Sequence, residues 1–341
     1  MAELTWNGKH NPNEQQLVSS PAQLETIESF PSQLSENPSD TSPSPLVENW
    51  QNRLIYGDKS AVLPALLREF SNSIDLIYID PPFMTGRDFI SSTQVAYSDR
   101  WDNNLDTYLQ WLYEALELLH RLLAQDGSLY VHLDWRVTHY AKVMLDEIFG
   151  FSPNVDGPGF KSEIIWHYQS GGRSHRYYAR KHDTILLYTK SASYCFHSER
   201  IGERRGTQKR NHMRKQVGSD GHVSWTIRSA DRIYTYDEDS TMTLADVWND
   251  ISHLQQKDPE RIGYATQKPA ALLERIMLAS SEENDLVLDC FCGSGVTPTV
   301  AEQYGRRWIA CDKSTLAIQM TQKRLLALEK FRPFVVQQIS E

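Results

Sequence analysis

Short apolar runs alternate with amphipathic stretches in two separate parts of this chain, and this alternation constrains the fold more than any other feature. Ile74–Ile79 has the continuous apolar character of a buried strand, and residues 105–123 repeat Leu at helical spacing. The alternation returns over residues 269–328. Strands that alternate with helices predict an α/β fold, a doubly wound and mostly parallel sheet covered on both faces.

Charge is distributed unevenly along the sequence. The 341 residues carry a net charge of −9, but residues 161–232 contain 15 Lys and Arg against 6 Asp and Glu, a local balance of +9. Such a block can neutralise phosphates and therefore indicates contact with DNA, although a solvated loop would have the same composition. The block also interrupts the strand–helix alternation, so we interpret it as an insertion.

These features divide the chain into four predicted parts. Residues 1–49 are acidic and rich in Ser and Pro, which predicts a mostly disordered segment. Residues 50–160 and 261–341 are the two halves of the α/β domain, and residues 161–260 are the basic insertion. No apolar run approaches the roughly 20 residues that span a bilayer, and the four cysteines form no CxxC pair. We therefore expect a cytoplasmic protein with reduced thiols, no metal site and no membrane partner.

One predicted strand–turn–helix unit has the features of a nucleotide site. Its strand ends at Asp289, and Phe291-Cys292-Gly293-Ser294-Gly295 follows. Glycines in this turn would let the backbone approach a ligand closely at the carboxyl edge of the sheet. Asp312 follows the next strand, where its carboxylate could accept hydrogen bonds from both hydroxyls of a ribose. The turn lacks a third glycine and a Walker lysine, so in isolation an ordinary tight turn is the favoured explanation.

A second segment, Asp80-Pro81-Pro82-Phe83, lies directly after Ile74–Ile79. An aryl amine is a poor nucleophile because its lone pair is delocalised, and two fixed acceptors around its N–H bonds would localise that pair. Asp80 and the carbonyl of Pro81 could be these acceptors, the prolines would keep the loop rigid, and Phe83 could stack on a base. Ionised Asp80 would also stabilise the positive charge developing on nitrogen. In isolation the segment could equally be a strand-terminating turn.

The order of these segments is more specific than either one alone. The catalytic segment comes first, the basic region second and the glycine turn last, and in this order the chain resembles the β-class S-adenosylmethionine-dependent DNA amino-methyltransferases. That family includes adenine methyltransferases and the modification subunits of type III restriction systems. Thr266-Gln267-Lys268-Pro269 is similar to the family's TQKP segment, and Gly57-Asp58 to its early Gly-Asp. The resemblance covers residues 50–330.

The resemblance implies a Rossmann-like sheet in which the basic insertion recognises the target. It implies transfer of a methyl group from S-adenosyl-L-methionine to N6 of an adenine flipped out of double-stranded DNA, by direct in-line attack. The catalytic residues would be Asp80, Pro81, Pro82 and Phe83. The cofactor-binding residues would be Asp58, Lys268, Pro269, Asp289, Phe291, Gly293, Gly295 and Asp312. DNA would be contacted by Arg173, Arg176, Arg180, Lys181, Arg204, Arg205, Lys209 and Arg210, with Trp166 as a candidate for stacking on the target base.

The sequence departs from the family pattern at three positions, and alternatives for the target and the activity remain open. Cys290 and Val296 replace a common Pro and Thr of the family, and Phe83 replaces the commoner Tyr. Asp80 rather than Ser favours adenine, with N4 of cytosine as the alternative and a catalytically silent DNA-binding subunit as a further one. An RNA or protein amide methyltransferase would usually carry Asn at position 80. A homodimer and a restriction-system partner are further expectations from the resemblance.

Overall fold

The computed structural model describes residues 3–10, 23–31, 50–91, 94–169, 174–204, 213–237 and 241–340. The chain forms two compact units, one of Met1–Cys195 with Asp246–Glu341 and one of Phe196–Ala245. Nowhere in the described ranges is a helix both long and apolar enough to cross a membrane.

The strands of both units are numbered in chain order: β1 (Gln23–Phe30), β2 (Asn52–Tyr56), β3 (Ile74–Ile79), β4 (Arg87–Ser91), β5 (Gln94–Asp99), β6 (Leu123–Leu133), β7 (Gly159–His167), β8 (His182–Thr189), β9 (Glu203–Arg204), β10 (Arg214–Val217), β11 (Val223–Ser229), β12 (Arg232–Asp237), β13 (Thr241–Met242), β14 (Val247–Trp248), β15 (Leu286–Asp289), β16 (Arg307–Asp312) and β17 (Phe334–Ser340). The helices are α1 (Lys59–Phe70), α2 (Leu105–Leu122), α3 (Thr138–Phe149), α4 (Ser198–Ile201), α5 (Ala270–Ser280), α6 (Val296–Gln303) and α7 (Thr315–Leu326).

A ten-stranded sheet forms the centre of the larger unit, in the order β1-β17-β2-β16-β15-β3-β6-β8-β7-β14. The run from β17 to β6 is parallel throughout, whereas β1 and β8 run antiparallel to their neighbours. Its central strands are apolar on both faces, as buried parallel strands require, and Leu54, Ile77 and Leu288 are fully buried. The predicted mostly parallel α/β sheet is confirmed.

The helices form two groups. α1, α2 and α3 pack side by side, and so do α5, α6 and α7. The first group contributes Leu63, Leu112, Leu116 and Met144 to the core, and the regular Leu spacing of α2 explains why that helix was predictable. Two helix groups on one sheet are the doubly wound arrangement that the alternation of elements predicts.

The connections place the carboxyl ends of β2, β3, β15 and β16 at one edge of the sheet. β3 and β15 are neighbours although about two hundred residues of sequence separate them. They belong to separate strand–helix crossovers, so a topological switch point lies between them. Crevices at such points are where open α/β sheets bind ligands.

The N-terminal region differs in part from its predicted disorder. Gln23–Phe30 forms β1, which pairs antiparallel with β17, and Phe30 stacks on Phe334 with ring centroids 4.6 Å apart. Six of the eight residues of β1 are exposed, so the strand has little apolar periodicity and its sequence did not indicate it. Residues 3–10 are also ordered, and Lys9 Nζ lies 2.6 Å from Glu147 Oε1. Residues 1–2, 11–22 and 32–49 of the predicted segment lie outside the described residues.

The inserted unit is narrower than the predicted insertion of residues 161–260. β7, β8 and β14 belong to the ten-stranded sheet, because their apolar residues, such as Ile164 and Ile185, pair across it. The compact smaller unit is Phe196–Ala245. It contains the antiparallel sheet β10-β11-β12 and the short pair β9-β13. The local excess of Lys and Arg indicated a basic region. It did not indicate which strands within residues 161–260 belong to the main sheet.

Candidate active site

The catalytic segment predicted from the sequence begins at the carboxyl end of β3. Asp80 Oδ2 lies 2.5 Å from Lys268 Nζ, and the two side chains are only 18% and 11% exposed. The other carboxylate oxygen, Oδ1, is buried and has no hydrogen-bond partner among the described residues. A buried acceptor without a donor costs free energy, so this oxygen is suited to a donor supplied by a ligand.

Asp99, at the end of β5, holds the backbone that follows the two prolines. Its buried carboxylate accepts hydrogen bonds from the N–H groups of Phe83, Met84 and Thr85, at 3.2, 2.9 and 2.8 Å. Met84 has φ = +59°, a strained value for a residue with a side chain, and these hydrogen bonds support it. Tyr108 adds a hydrogen bond from its hydroxyl to Pro82 O at 2.8 Å. The loop is therefore rigid before any ligand binds.

The glycine turn connects β15 to α6. Gly293 and Gly295 have φ of +50° and +74°, in the left-handed region that favours glycine. The N–H of Gly293 donates to Asp312 Oδ2 at 3.0 Å, and Ser314 N–H donates to Oδ1 at 2.8 Å. Burial raises the pKa of Asp312 to about 6. Each oxygen of Asp312 keeps a lone pair that can accept a further hydrogen bond.

Gly295 packs against α7 and offers a test of this turn. A Cβ there would lie 2.7 Å from Thr321 Cγ2 and 2.8 Å from Thr321 Cα, so a helix backbone would have to move. Gly263 also has positive φ, +87°, but nothing lies within 4 Å of its Cβ position. We expect Gly295→Ala to lower the free energy of unfolding by about 2 kcal/mol more than Gly263→Ala does. Urea unfolding measures both, and equal losses would contradict the packing argument.

The buried carboxylate of Asp289 accepts hydrogen bonds from the glycine turn and from α6. Thr297 Oγ1 and the N–H of Phe291 donate to its two oxygens at 2.5 and 2.9 Å. Burial raises the pKa of Asp289 to about 7. With both oxygens engaged by the protein, Asp289 organises the turn and the start of α6, and it also presents part of its surface to the cavity described below.

Asp58 follows β2, the strand that pairs with β16, and it caps α1. Its Oδ1 accepts hydrogen bonds from the N–H and hydroxyl of Ser60, at 2.9 and 2.7 Å. Burial opposes ionisation, but the hydrogen bonds from Ser60 prevail and lower the pKa of Asp58. The next residue, Lys59, is buried and donates to Trp111 O at 2.8 Å; burial lowers its pKa.

A single cavity joins these segments at the sheet edge. The predicted residues that line it are Asp58, Asp80, Pro82, Lys268, Asp289, Phe291, Gly293 and Asp312. Pro81, Phe83, Pro269 and Gly295 do not line it. The cavity is also lined by residues that the sequence did not indicate, among them Lys59, Tyr78, Tyr97, Trp111, Tyr264 and Lys313. Tyr264 lies two residues before the TQKP-like segment, and its position there is the one signal that could have indicated it.

Phe83 and Trp166, the two candidates for stacking on the target base, both pack against other side chains. Phe83 packs against the buried ring of His132, with ring centroids 6.2 Å apart, and Lys268 Nζ lies 5.3 Å from the Phe83 ring centroid. Trp166 is 2% exposed, packs edge-on against His132 and donates its indole N–H to Ile251 O at 2.8 Å. The Trp166 ring is therefore buried, whereas the resemblance made it a candidate for stacking on the target base.

The predicted DNA-contacting residues fall into three groups. Arg176 and Arg180 are exposed, and Lys181 is half-buried, all just before β8 in the larger unit. Arg204 belongs to β9 in the smaller unit. Arg173, Arg205, Lys209 and Arg210 lie outside the described residues. Their contact with DNA stays a prediction.

Comparison with known proteins gives one consistent result. The type II methyltransferase M.HpaI of Haemophilus parainfluenzae is 32% identical over 268 residues, which cover 78% of this chain and 72% of that protein. The DNA adenine methyltransferase YhdJ of Escherichia coli K12 is 29% identical over 279 residues, 81% of this chain and 83% of the relative.

Structural similarity and a family match agree with these relatives. The solved structure of the PvuII DNA methyltransferase (cytosine-N4-specific) is 16% identical and superposes with a TM-score of 0.52 over 80% of this chain and 86% of that one, which indicates a shared fold. The family model described as DNA methylase matches residues 74–323, a range that contains the catalytic loop, the TQKP-like segment and the glycine turn. The resemblance inferred from the motif order is confirmed, and the chain belongs to the DNA methylase family.

Proposed function

We propose that this DNA methylase transfers a methyl group from S-adenosyl-L-methionine to the exocyclic N6 of an adenine that is flipped out of duplex DNA. The observation that carries the proposal is the state of Asp80. One of its oxygens is held by Lys268, and the other is buried without a donor among the described residues, in the cavity that the glycine turn also lines. An amino group is a donor that would satisfy this oxygen.

The chain's own residues would activate that amine. Asp80 Oδ1 accepts one N–H bond and the carbonyl of Pro81 accepts the other, which draws the nitrogen lone pair out of the ring. Because the loop is already fixed by Asp99, little reorganisation is needed when the base arrives. As positive charge develops on the nitrogen, the carboxylate stabilises it, and Asp80 Oδ1 can hold the proton that the amine then loses.

The cavity residues fit the cofactor. Asp312 offers remaining lone pairs to two ribose hydroxyls, and Gly293 has no side chain at the wall of the cavity. Lys268 and Pro269 belong to the segment that, by the family resemblance, holds the methionine part. The cofactor, when bound, supplies an electrophilic methyl group. Asp58, Asp289 and Phe291 complete the set of residues that we propose for binding it.

The target base and biological setting are proposals supported by the relatives' names. YhdJ is named a DNA adenine methyltransferase, and M.HpaI a type II methyltransferase, which supports adenine as the base and a place in a restriction–modification system. The smaller unit presents Arg214, Lys215, Arg228 and Arg232, all exposed on β10, β11 and β12. We propose this unit as the part that recognises the target sequence.

A nucleoside analysis tests the proposal. Duplex DNA is incubated with the enzyme and a cofactor carrying a labelled methyl group, digested to nucleosides and separated. Label in N6-methyladenine is the expected result, and sequencing of the methylated DNA gives the recognised site. Label in N4-methylcytosine would replace adenine by cytosine, and DNA without label would indicate a catalytically silent subunit.

Cofactor affinity should depend on pH through Asp312. Hydroxyl donors stabilise its carboxylate, so cofactor binding lowers the pKa of Asp312 below the value of about 6 that burial gives it. Binding is therefore strongest above pH 6 and weakens as pH falls below it, by at most about 10-fold per pH unit. Calorimetry from pH 5 to pH 8 measures this. Asp312→Asn should flatten the acidic limb, and an unchanged limb would assign it to Asp289, whose pKa is raised to about 7.

A further inference from the structure

An aromatic and cationic cluster lies exposed in the larger unit, outside the cavity. The Arg180 guanidinium contacts two rings, with Cζ 3.7 Å from the ring centroid of Trp135 and 4.9 Å from that of Tyr177. Trp135 is 40% exposed and Tyr177 is 60% exposed. The neighbouring Tyr178 is 98% exposed. We call Trp135, Tyr177, Tyr178 and Arg180 the stacked surface.

Strand pairing places the stacked surface at the catalytic edge of the sheet. Ile79, directly before Asp80, pairs with Val131 of β6, and Trp135 follows Val131 by four residues. Arg180 lies just before β8, whose Thr184 pairs with Leu133 of β6. Three residues of chain span at most about 10 Å and neighbouring strands lie about 5 Å apart, so the stacked surface begins within about 15 Å of the catalytic loop.

The stack prepares Arg180 for an anion. Contact with two rings restrains the guanidinium, which reduces the entropy that it loses on binding an anion. No hydrogen bond or ion pair to this guanidinium occurs within the part of the chain that the structure describes. The neighbouring acid, Asp134, is paired with Arg136. A phosphate group matches a planar, bidentate donor of this kind.

Anion binding by Arg180 does not explain why the Tyr178 ring is exposed to solvent. A tyrosine that is almost fully exposed contributes nothing to the core, and aromatic faces are the usual platforms for nucleic acid bases because every base has a face that can stack. Removing a base from a duplex leaves a gap between its neighbours, and filling that gap offsets part of the lost stacking. Because the stacked surface lies at the same edge of the sheet as the catalytic loop, a ring there is near the place where such a gap would form.

We propose that the stacked surface opens the duplex at the target nucleotide: Arg180 binds a neighbouring backbone phosphate, and the Tyr178 ring stacks in the gap left by the flipped base. This inference rests on the proposed function and extends it, because it assigns the opening of the duplex to residues outside both the catalytic cavity and the smaller unit. Trp135 and Tyr177 act by positioning Arg180.

A salt titration tests the phosphate contact and requires no knowledge of the recognised site. Binding of a labelled random-sequence duplex is measured at several salt concentrations for the wild-type enzyme, Arg180→Ala and the control Lys323→Ala. Lys323 is an exposed cation near the end of α7, which runs away from the catalytic edge. We expect Arg180→Ala to reduce the slope of log affinity against log salt by about 0.9, the value for one phosphate contact, and Lys323→Ala to leave it unchanged. An unchanged slope for Arg180→Ala would overturn the phosphate contact.

A comparison of two substrates tests Tyr178. Methyl transfer is measured on a duplex containing the site found by sequencing, with the target either paired or facing an abasic position that makes opening easy. Tyr178→Ala should lower the rate by about 10-fold or more on the paired duplex and leave it near the wild-type rate on the duplex with the abasic position. The Tyr178 ring is needed only where opening the duplex breaks base stacking. Phe151→Ala, which removes an exposed ring at the opposite edge of the sheet, should affect neither substrate.

The outcomes separate this inference from the proposed function. Equal rates of Tyr178→Ala and wild type on the paired duplex, or equal losses on both duplexes, overturn the role of Tyr178 while methylation by the wild type still supports the proposed function. If the wild type labels no DNA, the proposed function fails, and the salt titration still decides whether Arg180 contacts phosphate. All substituted side chains are exposed, and thermal unfolding confirms that each variant folds.

Discussion

Replacing Asp80 with Ala is expected to abolish methyl transfer while leaving cofactor affinity within a few-fold. Asp80 offers the buried acceptor that we assign to the target amine, whereas the residues assigned to the cofactor lie mainly on the glycine turn and at Asp312. Losing an oriented acceptor and its charge in a site that excludes water should lower the rate by on the order of 10²-fold or more. Single-turnover transfer to DNA and calorimetric cofactor binding measure the two effects separately.

Two further variants sharpen this experiment. Asp80→Asn keeps the shape of the side chain but removes the charge, so it separates loss of charge from loss of volume. Asp126→Ala removes an exposed carboxylate at the opposite edge of the sheet and should leave the rate unchanged. Near-normal turnover in Asp80→Ala would remove this residue from the chemistry, whatever its cofactor affinity.

Lys268→Met is expected to slow methyl transfer even when cofactor is saturating. Lys268 Nζ fixes one oxygen of Asp80 at 2.5 Å, in a pair that is mostly shielded from water. Removing one partner of such a pair leaves an uncompensated charge, at a cost of about 3–5 kcal/mol in fully buried cases. We expect about a 10²-fold fall in the single-turnover rate, since Asp80 loses both its orientation and its counter-charge and a small misplacement has an effect of that size.

The comparison with Lys313→Met distinguishes positioning from binding. Lys313 lines the same cavity, and its charge acts on Asp58 and Asp312. Its removal should weaken cofactor binding with little change in the rate at saturation. If Lys268→Met showed this same pattern, and Lys268→Arg restored only affinity, Lys268 would be a cofactor ligand without a role in holding Asp80.

The sequence predicted the parts of the site that follow directly from buried strands. Asp80, Asp289 and Asp312 each follow or end an apolar strand, and parallel strands bring such positions to one edge. The two glycines with positive φ were equally recognisable, because few other residues adopt that conformation. Motif order then supplied the family, which neither segment could have supplied alone.

Other residues of the site could not be predicted because tertiary contacts alone bring them there. Asp99 holds the catalytic loop from the end of β5, and nothing in its local sequence indicates three backbone donors from another segment. Lys59 lies next to a predicted residue, but its burial depends on Trp111 of α2. Trp166 illustrates the converse case, since it was a candidate for stacking on a base, and its packing on His132 and hydrogen bond to Ile251 O could not be recognised from the sequence.

The Asp80–Lys268 pair joins atoms 2.5 Å apart that are separated by 188 positions in the sequence. During synthesis the ribosome completes the catalytic loop long before it reaches the lysine that holds it, and the glycine turn emerges later still. A nascent or prematurely terminated chain can therefore carry the whole β3 segment without an assembled site. An assembled site therefore requires the part of the sheet that carries Lys268 and the glycine turn to have docked on β3.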